Sequence, residues 1–463
     1  MKPLRFEKLT VEKAVAEGHC LAYAGGKTIF VSHAAPGDVA DIRIIKKQKG
    51  SLFGKIENLH VPGPDRVEPR CEHSGICGGC KWQQVSYEAQ KKHKQQQVKE
   101  SFERIGHLDF PEILPLRGSS QIFEYRNRLD FGFSHQRFLL PEEMNTDERP
   151  QLPGVGFHVP GRFDKVLDIR KCHLQEDLCN SIRLAAKDFA LANAMDFYDL
   201  KNHTGLMRSL IIRNSTLGEW MVIVAFAYAD EKNSALLAHL SERFPQITSL
   251  MYVINPKKNE TIYDLDIHCF KGKDHLLEKL GSCTFKIGPK SFFQTNSRQA
   301  ATLYEITKNF AGLTGKELVY DLYTGTGSIA LYLADKAEKV VGVEYVEQAI
   351  DDARENAALN HIQHVKFFAG DMKEVLNHEF IAREGRPDVI ITDPPRAGMH
   401  EDVVRTIAGI RAKRIVYVSC NPATQARDLA LLKDLYRIEK VQPVDMFPHT
   451  HHVENVVLLT LKS

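Results

Sequence analysis

No stretch of this 463-residue chain is apolar for long enough to cross a bilayer. The longest run, Trp220 to Ala229, falls far short of the roughly 20 residues a spanning helix requires. Met1-Lys2-Pro3-Leu4-Arg5 holds no apolar signal core. These absences point to a cytoplasmic protein with no membrane partner. An excess of charge of either sign is missing too: 61 Lys and Arg stand against 59 Asp and Glu, so affinity for a polyanion has to come from a local patch. No repeat or low-complexity tract interrupts the pattern, and the length asks for two or three cores rather than one.

The first sixty or so residues alternate in short runs, Lys8 to Val15, Thr28 to Ser32, Val39 to Lys46 and Leu52 to Leu59, punctuated by Ala24-Gly25-Gly26 and Ala35-Pro36-Gly37-Asp38. That predicts a small OB-like β-barrel over residues 1–62. Arg43, Lys46, Lys47, Lys49 and Lys55 cluster beside a turn, where they either track a phosphate backbone or simply solvate a hairpin tip. A loop with Cys71, Cys77 and Cys80 follows, then a polar helical stretch within 84–119 that carries Lys91, Lys92, Lys94 and Lys99 and can pack on the catalytic domain. Strands such as Leu129 to Ser134, Leu210 to Arg213 and Met221 to Tyr228 make 63–286 a strand-rich α+β central domain. In 287–463, apolar runs at Leu318 to Leu322, Val340 to Val343, Val365 to Phe368, Val389 to Ile391 and Ile415 to Val418 alternate with helical segments. This is the α/β pattern of a Rossmann-like, doubly wound parallel sheet.

Leu318 to Tyr323 runs into Thr324-Gly325-Thr326-Gly327-Ser328, where glycine lets the chain turn tightly and a ligand approach the backbone. Glu344 ends the next strand about 20 residues on, where a carboxylate can accept from both ribose hydroxyls. Asp371 follows the third strand and Asp393 closes the fourth within Asp393-Pro394-Pro395-Arg396. Any one of these acids could merely cap the following helix; the series indicates a nucleoside cofactor. The third glycine of a dinucleotide fingerprint is missing and Asp-Pro-Pro is no dehydrogenase feature, so S-adenosylmethionine fits better than NAD.

Cys420 leaves the fifth strand in Val418-Ser419-Cys420-Asn421-Pro422, at the same carboxyl edge, where ligands of such sheets bind. Uracil C5 is a poor nucleophile, and a thiolate adding to C6 turns the ring into an enolate with electron density at C5. The C5 proton must then leave to a general base, for which Glu454 in Pro448-His449-Thr450-His451-His452-Val453-Glu454 is the candidate, with the three histidines as rivals or ordinary loop residues. Cys20, Cys179, Cys269 and Cys283 read as inert thiols. Cys71-x5-Cys77-x2-Cys80, with Cys172 folding back as a fourth ligand, suits zinc or an iron–sulfur cluster equally well.

Together, Phe292-Phe293-Gln294-Thr295-Asn296, Asp321 to Ser328, Asp393 to Arg396, Ser419 to Pro422 and His452 to Glu454 resemble the RNA uridine-C5 methyltransferase family across the C-terminal half. The barrel resembles a TRAM domain, and Tyr125-Arg126-Asn127-Arg128 the start of the family's central domain. The resemblance implies that Cys420 is the nucleophile and Glu454 the base, that Asp393 hydrogen-bonds the pyrimidine, and that Phe292 stacks on a flipped base. It places Gln294, Tyr323, Ser328, Glu344, Asp371 and Asp393 around S-adenosylmethionine. It also implies a 4Fe-4S cluster rather than zinc on Cys71, Cys77, Cys80 and Cys172, and an RNA partner, 23S rRNA before tRNA, with no obligate protein partner. Thr324 and Ser328 depart from the Cys and Asn that many relatives carry. Two rivals stand beside this reading: an exocyclic amino-methyltransferase, which has no use for Cys420 or Glu454, and a nonenzymatic RNA assembly factor.

Overall fold

The alternation at the start of the chain closes into a barrel in the computed structural model, which describes residues 4–48, 50–140, 143 and 152–463. Its strands are β1 (Arg5–Ala14), β2 (Cys20–Ala24), β3 (Lys27–Ser32), β4 (Val39–Gln48) and β5 (Ser51–Val61), in the order β1-β2-β3-β5-β4. β2 is the strand the sequence pattern misses: it is short, and its inward residues Cys20 and Ala22 are small. Gly25 and Gly26, at φ +55 and +70, turn it back into β3. Of the basic cluster, Lys49 lies outside the described residues.

Helix α1 (Tyr87–Ser101) starts at an Ser86 cap. The expected helical stretch 84–119 is shorter than its charge pattern suggests. One π turn carries it to Gly106, His107 takes a left-handed φ of +45, and Pro111 and Pro115 exclude further helix. The chain instead runs along the catalytic sheet, where Leu114 N–H donates to Val441 O at 3.0 Å and Arg117 N–H to Pro443 O at 2.9 Å.

The central sheet contains β6 (Arg128–Ser134), β7 (Gly154–Val159), β8 (Arg162–Asp168), β9 (Met207–Asn214), β10 (Trp220–Phe226), β11 (Ile247–Ile254) and β12 (Ile267–Gly272), ordered β12-β11-β10-β9-β6-β7-β8. Helices α2 (Asp177–Ala192) and α3 (Glu231–Arg243) pack Ile182, Ala186, Leu236 and Leu240 on one face. The other face, with Met221, Ile223 and Met251, is continuous with the core of the C-terminal unit. The hairpin β13 (Leu276–Leu280) and β14 (Cys283–Ile287) joins that core as well. The boundary expected after residue 286 therefore falls inside β14.

The C-terminal unit opens with α4 (Ser297–Ala311), capped by Asn296 and ended by left-handed Gly312. It continues β15 (Leu318–Leu322), α5 (Ser328–Leu333), β16 (Lys339–Glu344), α6 (Glu347–Leu359), β17 (Val365–Ala369), α7 (Met372–Val375), α8 (His378–Glu384), β18 (Val389–Thr392), α9 (Glu401–Ile410), β19 (Arg414–Ser419), α10 (Pro422–Leu432), β20 (Tyr436–Val444) and β21 (Glu454–Leu461). Sheet order is β17-β16-β15-β18-β19-β21-β20; the first five strands are parallel and β21 runs antiparallel to both neighbours. Strand order reverses between β15 and β18, so their carboxyl ends frame the crevice in which such sheets bind ligands. Among the described residues no helix is long and apolar enough to cross a membrane.

Candidate active site

β15 delivers Asp321 fully buried. Its Oδ2 accepts from Thr324 Oγ1 at 2.5 Å and from the Ala330 amide at 3.1 Å, while Oδ1 is buried with no partner. Burial pushes this carboxyl up to about 7 against those two hydrogen bonds. Glu344, at the end of β16, accepts from the amides of Gly325 at 3.2 Å and Val346 at 3.0 Å, which ties it to the glycine turn. Gly325 sits at φ +55 with nothing within 4 Å of the place a Cβ would take, an open cradle; at Gly327, φ +76, that place is 2.8 Å from Phe367 Cζ. An unsatisfied buried oxygen, an open glycine turn and a strand-end carboxylate suit an adenosyl ligand bearing an amine.

Asp371 caps α7 through the Lys373 amide at 2.9 Å, the ordinary task of a strand-end acid. Its charge also reaches Tyr323, whose hydroxyl burial, then Asp371, push up to about 12. Gln294 is held by its backbone, whose carbonyl accepts from Asn127 Nδ2 at 2.9 Å. Ser328 Oγ lies 2.8 Å from the hydroxyl of Tyr304, a buried α4 residue. Burial raises the Tyr304 phenol, and Asp393, Asp321 and Glu454 all contribute to the rise. This tyrosine therefore joins the glycine turn to the acids, although its spacing on an amphipathic helix reads only as core.

Cys420 follows the last residue of β19 and Glu454 opens β21, and the antiparallel pairing of Ser419 with Asn455 brings these two ends together. Asn421 caps α10 through the Ala423 amide at 3.1 Å, and Asn421 Nδ2 and Thr424 Oγ1 grip the Arg396 carbonyl at 3.1 and 3.2 Å. The Asp393–Arg396 turn is thereby fastened to the helix that follows the nucleophile. Burial, then Glu454 and Asp393, push the Cys420 thiol up to about 11, with Arg396 opposing. Burial, then Asp393, push Glu454 up to about 8, again against Arg396. Asp393 is pushed up to about 7 by burial and by Asp321. Arg396, quoted in the sequence only as part of a motif, is thus the cation that favours both the thiolate and the carboxylate.

Phe292 is 70% exposed on the segment between β14 and α4. With Cys71, Cys77, Cys80 and Cys172 it lines a cavity of about 520 Å³. The four thiols are mutually coupled: after burial, Cys172, Cys77 and Cys71 are what push Cys80 up to about 12. Among the described residues, however, no group of three or more Cys, His, Asp or Glu is arranged to hold a metal ion.

Comparison with known proteins follows the same outline. Residues 273–462 match the family described as tRNA (Uracil-5-)-methyltransferase, and residues 6–56 match the TRAM domain. An uncharacterized RNA methyltransferase of Bacteroides thetaiotaomicron is 53% identical over 96% of this chain and 100% of its own. One of Porphyromonas gingivalis is 52% identical over 97% and 99%. Among solved structures, the Pyrococcus abyssi tRNA (uracil-54, C5)-methyltransferase in complex with S-adenosyl-L-homocysteine superposes with a TM-score of 0.75 at 28% identity, covering 98% of this chain and all of that one.

Proposed function

The chain belongs to the S-adenosylmethionine-dependent RNA uracil-C5 methyltransferases, and from that premise we propose that Cys420 is its nucleophile and Glu454 its base, acting on a uridine of 23S rRNA. The observation that carries the mechanism is that the Ser419–Asn455 pair brings Cys420 and Glu454 together at the ends of β19 and β21, close enough, with Asp393, for the acids to bear on the thiol. Cys420 Sγ adds to C6 and moves the ring electrons toward O4. S-adenosylmethionine, when bound, would supply the electrophilic methyl that C5 takes up, its sulfur keeping the electrons of the broken S–methyl bond and departing as the neutral thioether. Glu454 then removes the C5 proton, and the electrons of that bond restore the C5–C6 double bond as Sγ departs. Asp393, raised to about 7, can present a proton to a uracil carbonyl. The flipped ring needs an aromatic platform to offset unstacking, and exposed Phe292 is the side chain for it.

Cofactor contacts are assigned to Gln294, Tyr323, Ser328, Glu344, Asp371 and Asp393, of which Glu344 and Ser328 have the most direct support in the glycine turn and the Tyr304 hydroxyl. Cys71, Cys77, Cys80 and Cys172 are read as holding a 4Fe-4S cluster with a structural role. What supports this reading is that all four thiols line one cavity. Protein purified without oxygen is expected to be brown and to contain iron; zinc without iron would refute this.

RNA carrying 5-fluorouridine tests the mechanism, because fluorine cannot leave as a proton does. A covalent adduct through Cys420 is expected, and absence of the adduct with activity kept in Cys420→Ala would overturn the assignment. The likeness to a tRNA (uracil-54, C5)-methyltransferase spans the barrel and the four-cysteine loop, so those two features do not separate rRNA from tRNA. The likeness to a tRNA (uracil-54, C5)-methyltransferase favours tRNA as a second reading. Mapping 5-methyluridine in rRNA and tRNA from cells with and without the protein decides between them.

A further inference from the structure

We propose that Lys81 and Arg396, bridged by His451 and His452, form a phosphodiester-binding site beside the nucleophile, one that takes a backbone phosphate adjoining the target uridine. The proposal rests on the reading of the substrate as RNA. Arg396 Nη2 lies 3.5 Å from His452 Nε2, and the His452 ring lies 4.0 Å from that of His451. His451 in turn meets the barrel at Gly18, which also carries Lys81 against it. Lys81 Nζ donates to the Glu17 carbonyl at 2.8 Å. Gly18 has φ +79, and Lys81 Cδ is 2.8 Å from where a Cβ would stand, so only glycine lets the lysine lie there.

Three separate pieces of chain thus bring basic side chains to one place, the cysteine loop, the Asp393–Arg396 turn and the loop before Glu454, and the β1–β2 turn seats them through Gly18 and the Glu17 carbonyl. Burial, then His452, Lys81, Lys94 and Arg396, push His451 down to about 3, and burial, then Arg396, Lys94, Lys81 and Arg126, push His452 down to about 4, so both rings are neutral and the positive charge sits on Lys81 and Arg396. Lys94 is neutralised by Asp445 at 2.6 Å. Glu454 and Asp393 are the acids on Arg396's other side, and burial favours their neutral forms. His451 Nδ1 is buried without a partner. What remains is two cations, Lys81 and Arg396, linked through two neutral imidazoles and making no ion pair among the described residues, and the phosphate is the formal charge that a flipped nucleotide brings to that spot.

The test is steady-state methyl transfer to total RNA from cells lacking the enzyme, at ~50 and ~200 mM KCl. Releasing one counterion on a single strand contributes a slope of about 0.7 in log–log salt dependence. Over that fourfold span the KM for RNA should therefore rise about 2.6-fold more for wild type than for Lys81→Gln. Lys81→Arg should restore the steeper dependence, and the KM for S-adenosylmethionine serves as the control that should not follow. Gly18→Ala, which displaces the lysine without removing charge, should also raise the KM for RNA. Parallel salt dependence in wild type and Lys81→Gln would overturn the phosphate site. Absence of methyl transfer to RNA by wild type at either salt would instead overturn the substrate reading, and this site with it.

Discussion

Replacing Lys94 by methionine should destabilise the C-terminal unit more than any surface substitution. Lys94 Nζ is fully buried, 2.6 Å from Asp445 Oδ1 and 3.1 Å from the Phe447 carbonyl, and Asp445 is equally buried. Burial alone lowers the lysine's pKa, and Asp445 restores part of it. Removing one partner of such a pair leaves an unpaired charge in the interior, at a cost of about 3–5 kcal/mol. For a unit of this size each kcal/mol moves the midpoint by about 2–4 °C, so a fall of roughly 6–20 °C is expected in calorimetry. Asp445→Asn should fall as well, because the lysine then lacks its anion, and the double variant should recover about 2–3 kcal/mol relative to the sum. A fall below ~2 °C for Lys94→Met, the size an exposed pair gives, or strict additivity in the cycle, would refute the claim that this pair anchors the loop leading to Glu454.

Glu454→Gln should let Cys420 add to ordinary uridine but block its release, so that adduct accumulates on denaturing gels without any fluorine. Because burial raises Glu454 to about 8, release by wild type should climb with pH and level off near that value; a Glu454→Gln variant with the same profile would show that another group takes the proton. Asp321, Asp393 and Glu454 all have folded pKa values above those of ordinary carboxyls, so the native state holds extra protons between about pH 4 and 8 and their contribution to stability falls as pH rises through that window. The loss of midpoint temperature from pH 5 to pH 8 should accordingly be smaller in Asp321→Asn than in wild type, and an equal loss would contradict the shift. Gly327→Ala should cost at least about 1–2 kcal/mol from its left-handed backbone, with added loss from Phe367 at 2.8 Å, and should weaken S-adenosylmethionine binding measured by calorimetry.

Much of the site was legible because its residues sit at strand ends, where the chain's own punctuation marks them. The run Leu318 to Leu322 and the glycines after it announce β15 and its turn, and Cys420 is visible as the residue between a buried strand and Asn421-Pro422, a helix start. Strand β2 escaped because a five-residue strand with alanine and cysteine inward carries too little hydrophobic contrast. The helical stretch expected within 84–119 stops at Gly106 because the chain beyond it pairs along the edge of β20, which only tertiary contact reveals. Tyr304 is invisible for a different reason. One hydroxyl on a helical face that is otherwise core has no local signature, and its role follows from Ser328 lying 2.8 Å away.

The segment Asp445–Val453 explains why residues so distant in sequence must fold together before the site exists. Its backbone is gripped from four directions: Lys94 and Gln90 of α1, Trp82 just past Cys80, Tyr125 at the entry to the central sheet, and Asn296 and Gln299 at the start of α4. A nine-residue connection holding an ionised pair in its interior would be costly if it stood alone. Here each hydrogen bond removes backbone freedom from the chain immediately before Glu454, so the entropy of placing the base is met by folding rather than at each turnover. The cysteine loop touches this segment through the Trp82 N–H and His449 carbonyl at 3.0 Å. On the proposed mechanism the loop and the alignment of the base are therefore one mechanical problem, and disturbing the loop should show first in the release of Cys420 rather than in its addition.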